Sequence, residues 1–246
     1  MLRLGILAHS AEGAALCFRT FCHTGSAELG PYDHPDVTLD LAAMARSMPA
    51  WESGDHAAVR AVLSESAARL ARAGADFFVC PDNTAHMALE LPGPAGPGAD
   101  LPLPGLHIAE VVADRARADG RRRVGVLGTR FTMEGPVYPR ALAARGIAAE
   151  VPDAAGRRVV HEIIFDELVN GVVSDRARQE YVEVIGRLAA RGCDAVALVC
   201  TEIPLLVTPE VSPLPTLDST RLLARAAFDV CVGRRPMPQW RGGPVG

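Results

Sequence analysis

The chain contains no lysine: all 25 residues counted as Lys plus Arg are arginine. A pyridoxal-phosphate enzyme needs a lysine for its Schiff base, and a P-loop needs one for its phosphates. Both classes are excluded by chemistry. Cysteine is sparse and unpatterned. Its six positions (17, 22, 80, 193, 200 and 231) make no CxxC pair and no zinc spacing. Cys22-His23 alone is not a site, so no metal is expected. No stretch approaches the ~20 apolar residues of a membrane span, and Met1 to Leu7 runs into a strand pattern without signal-peptide anatomy. Excess positive charge is missing too. The net charge is -4 and the arginines are scattered along helical stretches, which argues against a nucleic-acid partner. These absences describe a cytoplasmic protein with neither membrane nor nucleic acid as partner.

What is present is an ordinary globular composition, 49% apolar and 22% charged over 246 residues. That length allows one large domain or two small ones. Short apolar runs alternate with longer amphipathic stretches, the α/β signature. Strands are expected near 3–8, 36–40, 76–81, 105–108, 123–128, 147–151, 194–200 and 215–217. Helices fit 11–21, 55–73, 84–90, 108–119, 132–145, 157–169, 174–191 and 219–231. Ser174-Asp175 and Asp218-Ser219-Thr220 read as helix caps. Pro92 to Gly98 reads as an extended loop. Runs such as Phe77 to Cys80 and Ala195 to Val199 are apolar throughout, as parallel strands covered on both faces require. The expected fold is α/β, with two similar Rossmann-like parallel-sheet domains. Residues 1–110 with 215–232 make the first domain, 111–214 the second, and 233–246 a tail, disordered or packed between subunits.

The two-domain reading rests on an internal echo. Gly74-Ala75-Asp76 precedes Phe77 to Thr84, and Gly192-Cys193-Asp194 precedes Ala195 to Glu202. Gly74 to Gly192 and Asp82 to Cys200 share an offset of 118. Arg3 to Leu7 echoes Arg123 to Leu127 at an offset of 120, and His107 corresponds to Asp218 at 111. The repeat puts an ionisable residue, Asp82 or Cys200, at the same strand end in each half.

Ligands of parallel sheets bind at the carboxyl ends of strands. His9-Ser10, Asp82-Asn83-Thr84, Thr129-Arg130 with Thr132, and Cys200-Thr201-Glu202 leave strands there. Asn, Thr and Ser in such places can hydrogen-bond a substrate carboxylate. Asn83-Thr84 and Thr201-Glu202 fit helix caps equally well, and Asp82 could be a cap too. A thiol at a helix N-terminus, as expected for Cys200, has a pKa lowered from about 8.5 towards neutrality and could then move a proton. A buried structural cysteine is the alternative. Asp82, with an ordinary pKa of about 3.9, is a weak base unless desolvation raises it.

The chain resembles the aspartate/glutamate racemase superfamily, most nearly its aspartate racemase branch, from about Leu4 to Val230. The resemblance is carried by Asn83-Thr84-Ala85-His86, by Gly128 to Met133, by Ile163 to Leu168, and by Cys200 to Leu206. It implies two domains related by a pseudo-twofold with a site in the cleft between them, no cofactor, and a homodimer. It also implies one cysteine from each domain, on opposite faces of the substrate α-carbon. Asp82 stands where the first cysteine belongs, with Cys80 two residues earlier. Val169 stands where some aspartate racemases have a lysine for the substrate side chain. Ala8-His9-Ser10-Ala11 replaces a glycine-rich opening.

The leading expectation is therefore a cofactor-independent racemase or epimerase acting on an amino acid or related α-substituted carboxylate. Asp82 and Cys200 would move the proton. Asn83, Thr84, Thr129, Thr132 and Thr201 would hold the α-carboxylate, beside Ser10 and Glu202. His9, Arg46 or Arg130 would contact the variable group. A maleate-isomerase-like or arylmalonate-decarboxylase-like reaction using Cys200 alone is a second reading, and a non-catalytic binding protein a third.

Overall fold

The computed structural model describes residues 1–92 and 101–245; most of the loop expected over Pro92 to Gly98 lies outside the described residues. The chain divides into two units, Met1–Val111 with Thr220–Val245, and Val112–Ser219. In the first, strands β1 (Leu4–Ala8), β2 (Val37–Leu41), β3 (Phe77–Val79) and β4 (Gly105–Leu106) form a parallel sheet in the order β2-β1-β3-β4. In the second, β5 (Arg123–Leu127), β6 (Ala148–Glu150), β7 (Ala195–Leu198) and β8 (Thr216–Asp218) repeat it as β6-β5-β7-β8. The echo is thus structural. Leu4 pairs with Phe77 and Val124 with Ala195, so the sequence offsets of 120 and 118 are offsets in register.

The Gly-x-Asp motif has a mechanical role in both units. Helix α3 (His56–Arg72) and helix α9 (Asp175–Ala190) precede β3 and β7. Gly74 (φ +84°) and Gly192 (φ +87°) end them in the left-handed conformation that favours glycine. The following aspartate then fastens the neighbouring strand. Asp76 accepts a hydrogen bond from the Arg3 amide at 2.7 Å, and Asp194 from the Arg122 amide at 2.8 Å. In the central strands, a Cβ at Gly5 would come within 3.2 Å of Leu70, and one at Gly125 within 2.8 Å of Leu188. These leucines are again 118 apart, and glycine lets each helix lie close on its strand.

The other helices are α1 (Ala11–Glu28), α2 (Met48–Ser53), α4 (Ala85–Leu89), α5 (Ile108–Ala118), α6 (Arg130–Glu134), α7 (Val137–Ala143), α8 (Ala154–Asp166), α10 (Ile203–Leu206) and α11 (Ser219–Cys231). The first unit's core joins β1, β3, Phe21 of α1 and Phe228 of α11. The second joins Leu127, Leu198, Tyr181, Val184 and Leu188. Ser174 caps α9, accepting from the Ala177 amide at 3.1 Å.

Three expectations need correction. The helix expected over 132–145 is two, because Gly135-Pro136 cannot continue the first. The strand expected over 215–217 forms as β8 and hydrogen-bonds to β7, so it belongs to the second unit. The tail from Gly233 is ordered against the first unit. Trp240 bridges Gly105 in antiparallel fashion, stacks on His86 (5.8 Å) and meets His107 edge-on (4.8 Å). Its indole N–H donates to the Gly243 carbonyl at 2.8 Å. Trp240→Ala should therefore cost about 3 kcal/mol of stability, read as a lower urea midpoint at unchanged slope. An unaltered midpoint would show that the tail contributes nothing to the fold.

Candidate active site

In the first unit, two strand ends are joined through Asp82. The chain leaves β1 at His9, and leaves β3 through Cys80-Pro81-Asp82 into α4. The Asp82 carboxylate is held at both oxygens. Oδ1 accepts from the Ala85 amide at 3.0 Å, and Oδ2 lies 2.8 Å from His9 Nδ1. The other His9 nitrogen, Nε2, lies 2.8 Å from Ser47 Oγ. His9 and Ser47 are 4% and 1% exposed, and the Asp82 side chain 14%. Beneath them, His86 Nδ1 lies 2.8 Å from the Asp82 carbonyl, and its Nε2 accepts weakly from the Ile108 amide at 3.4 Å.

Burial alone would push the Asp82 pKa up, but the hydrogen bond and charge of His9, with the Ala85 amide, bring it below the ordinary value. Desolvation, which would have made Asp82 a stronger base, is thus outweighed by its partners. Burial likewise opposes charge on His9, yet the Asp82 hydrogen bond and charge outweigh it and raise its pKa. His86 goes the other way, to about 3, because it is buried and faces His107. Cys80 is fully buried, and burial first, then Asp82, pushes its thiol well up.

The remaining predicted residues of this unit have definite places. Ser10 caps α1, its Oγ accepting from the Gly13 amide at 3.1 Å. Thr84 occupies the cap position of α4 without a side-chain cap bond, so Asp82 supplies the capping oxygen. Asn83 is buried beside it. Arg46 ion-pairs with Glu65 on α3 at 2.8 Å. His9 has both ring nitrogens engaged by protein groups, a role different from contact with the substrate's variable group.

In the second unit the equivalent strand ends are Gly128-Thr129, beyond β5, and Val199-Cys200-Thr201-Glu202, beyond β7. Thr129 caps α6, accepting from the Thr132 amide at 3.3 Å, and the two hydroxyls lie 3.1 Å apart. Arg130 is exposed, with its guanidinium over Phe131 at 5.5 Å and its amide donating to His161 Nδ1 at 3.2 Å. The Cys200 thiol donates to Glu202 Oε2 at 2.9 Å. Glu202 is 7% exposed and Thr201 is buried, while Cys200 is partly open. Helix α10 spans only four residues, so the macrodipole expected at Cys200 is small. The nearer influence is a carboxylate that takes the thiol's hydrogen bond. Val169, exposed on a single 3-10 turn, offers no charge.

Each unit thus presents one group able to carry a proton, held by a second titratable side chain: Asp82 with His9, and Cys200 with Glu202. Ser47 and the pairing role of His9 were missed by sequence reasoning. They lie 38 residues apart, and no spacing signal links them. His86, four residues after Asp82, was visible as a possible same-face neighbour.

Known proteins resemble this chain in sequence and in fold. A broad specificity amino-acid racemase of Bacillus subtilis (strain 168) is 24% identical over 179 residues, covering 70% of this chain and 72% of that one. A glutamate racemase of Thermus thermophilus is 34% identical over 175 residues, 69% of this chain, which spans only 60% of that protein. The crystal structure of a candidate Asp/Glu racemase from Yersinia pestis superposes with a TM-score of 0.84 at 31% identity, covering 94% of this chain and all of that one. Residues 16–227 match the model of the Asp/Glu/Hydantoin racemase family. The chain belongs to the Asp/Glu/Hydantoin racemase family.

Proposed function

We propose that the chain is a cofactor-independent amino-acid racemase or epimerase in which Asp82 and Cys200 exchange the α-proton. The observation that carries this reading is the repeat itself. Matched strand ends carry Asp82 and Cys200, each hydrogen-bonded to its own titratable partner. Racemisation requires one group to take the α-proton and the other to return a proton to the opposite face of the carbon. At rest the Cys200 thiol has a hydrogen to give and Asp82, with its lowered pKa, has a lone pair to receive one. The C–H bond breaks towards Asp82, its electron pair delocalises into the substrate carboxylate, and the S–H bond breaks as the new C–H bond forms.

The negative charge that develops on the substrate carboxylate needs donors aimed at it in advance. Asn83, Thr84, Thr201 and the Thr129–Thr132 hydroxyl pair, with neighbouring amides, are the groups we assign to it. Ser10 and Glu202 are occupied in shaping the strand ends. Arg46 is paired to Glu65, Arg130 is exposed over the Phe131 ring, and Val169 carries no charge, so no buried cation of this set is dedicated to a second carboxylate. This favours a neutral amino acid, in keeping with the broad specificity named for the Bacillus relative. The unequal pair should make kcat differ between enantiomers, while an equilibrium constant of one keeps kcat/KM equal. From family membership we also infer a homodimer acting on a small carboxylate in the cytoplasm.

The test is proton NMR in D2O with L- and D-amino acids, neutral and acidic, followed by chiral chromatography. The expected result is loss of the α-proton signal with appearance of the other enantiomer, fastest for a neutral side chain. Exchange without inversion would point to one-sided chemistry at Cys200, and no exchange with any substrate would sink the racemase reading.

A further inference from the structure

The hydrogen bonds around His9 allow a count of its protons. Ser47 Oγ lies 3.0 Å from the Met44 carbonyl, an acceptor within reach of its single hydrogen. With that hydrogen on the carbonyl, the hydroxyl offers His9 Nε2 a lone pair, and the nitrogen carries hydrogen. At the other side of the ring, Nδ1 faces an oxygen of an ionised carboxylate, a pure acceptor, so it must carry hydrogen too. A ring with hydrogen on both nitrogens is an imidazolium. The second histidine near Asp82 does not compete for the role. His86 donates from Nδ1 to the Asp82 carbonyl and accepts at Nε2 from Ile108, the pattern of a neutral ring.

The geometry points to His9 as the positioning residue of the first strand end: a buried imidazolium, seated by Ser47, that keeps the Asp82 carboxylate ionised and aimed. Resting on the assignment of Asp82 as a proton carrier, this makes the working unit a His9–Asp82 ion pair rather than a lone carboxylate. Both oxygens are held, one by His9 and one by the Ala85 amide, yet each keeps a second lone pair. The side chain retains 14% exposure through which a proton can arrive. A buried carboxylate without such a partner would favour its neutral form and have no lone pair charge to offer a C–H bond. The raised pKa of His9 and the lowered pKa of Asp82 agree with this.

Few other groups can set this equilibrium. From the loop before α2 comes Ser47, and from α2 the Trp51 ring meets His9 edge-on at 6.2 Å, with His56 behind Trp51 at 5.1 Å. From the β3–α4 connection come Asp82, the protonated thiol of Cys80 and neutral His86. Asp82 is the single anion among them.

The experiment is long-range proton–nitrogen correlation NMR on the full chain labelled with 15N-histidine, at pH 7.5. His9→Asn, which keeps a donor near the Nδ1 position but holds no charge, assigns the His9 signals by their loss. The expected wild-type pattern is two protonated ring nitrogens for His9, changing to one protonated and one bare nitrogen in Asp82→Asn. In His9→Asn, the acid limb of α-proton exchange should move to higher pH by at least one unit, because the cation that held Asp82 ionised is gone. A wild-type His9 with one bare nitrogen would overturn the inference, whatever the activity. An imidazolium in a protein that exchanges no α-proton would leave the ion pair standing and remove the racemase reading instead. An unmoved acid limb beside full activity would show that His9 does not act through Asp82.

Discussion

Replacing Cys200 with Ala is expected to lower racemisation by about 10³-fold or more, the scale for losing a positioned acid or base. The fold should survive, because the side chain is partly open and its hydrogen bond runs to a residue two positions away. Cys200→Ser is the sharper variant. It retains a hydroxyl that can donate to Glu202 and nearly the same volume, but an alcohol gives up its proton far less readily than a thiol. If the thiol is the carrier, both variants should fall together. The remaining Asp82 should still exchange the α-proton of the one enantiomer it faces, without inversion. Chiral chromatography and the α-proton signal in D2O measure these two outcomes separately. Wild-type racemisation by Cys200→Ala would rule out the two-group mechanism.

Asp82→Asn should remove racemisation to a similar extent and, unlike the cysteine variants, destabilise the protein by about 3 kcal/mol, the scale for breaking a buried ion pair. An amide has one acceptor oxygen, whereas the native carboxylate serves both the Ala85 amide and His9. His9 loses its counter-charge and must give up its proton or stay charged without a partner. The cost should depend on pH in a definite way. His9 has a raised pKa in the fold, so its contribution is complete below its unfolded value of about 6.5 and is lost as pH rises through the folded value. Asp82 has a lowered pKa, so its contribution is complete above about 3.9 and is lost as pH falls through the folded value. The stability gap between wild type and Asp82→Asn should therefore be widest near pH 5 to 6 and narrow towards either extreme. Urea denaturation across pH 4 to 9 measures it, and a gap that stays constant with pH would show that no ion pair forms.

Much of the architecture was legible in the residues, for reasons the structure makes plain. Buried parallel strands must be apolar on both faces, so Phe77 to Cys80 and Ala195 to Val199 could be read as strands. Gly74 and Gly192 announce helix ends because their backbone is left-handed. Asp76 and Asp194 recur because the start of the central strand must be fastened in each repeat, through the Arg3 amide in one and the Arg122 and Arg123 amides in the other. The strand-end positions of Asp82 and Cys200 followed from that repeat, by arithmetic alone.

What tertiary structure decided is the electrostatic state of those strand ends. Whether Asp82 is a neutral acid or a carboxylate depends on His9, 73 residues away, and His9 depends on Ser47, 38 residues from it. Desolvation and a counter-charge push Asp82 in opposite directions, and only their spatial arrangement says which prevails. The attachment of the tail was likewise hidden, since a Gly/Pro-rich composition does not show that Trp240 finds Gly105 and two histidines to cover. Local pattern determined the elements and their duplication in this chain. Long-range contact determined which atom holds each proton, because a proton's position is set by its nearest charges in space and not by its neighbours along the chain.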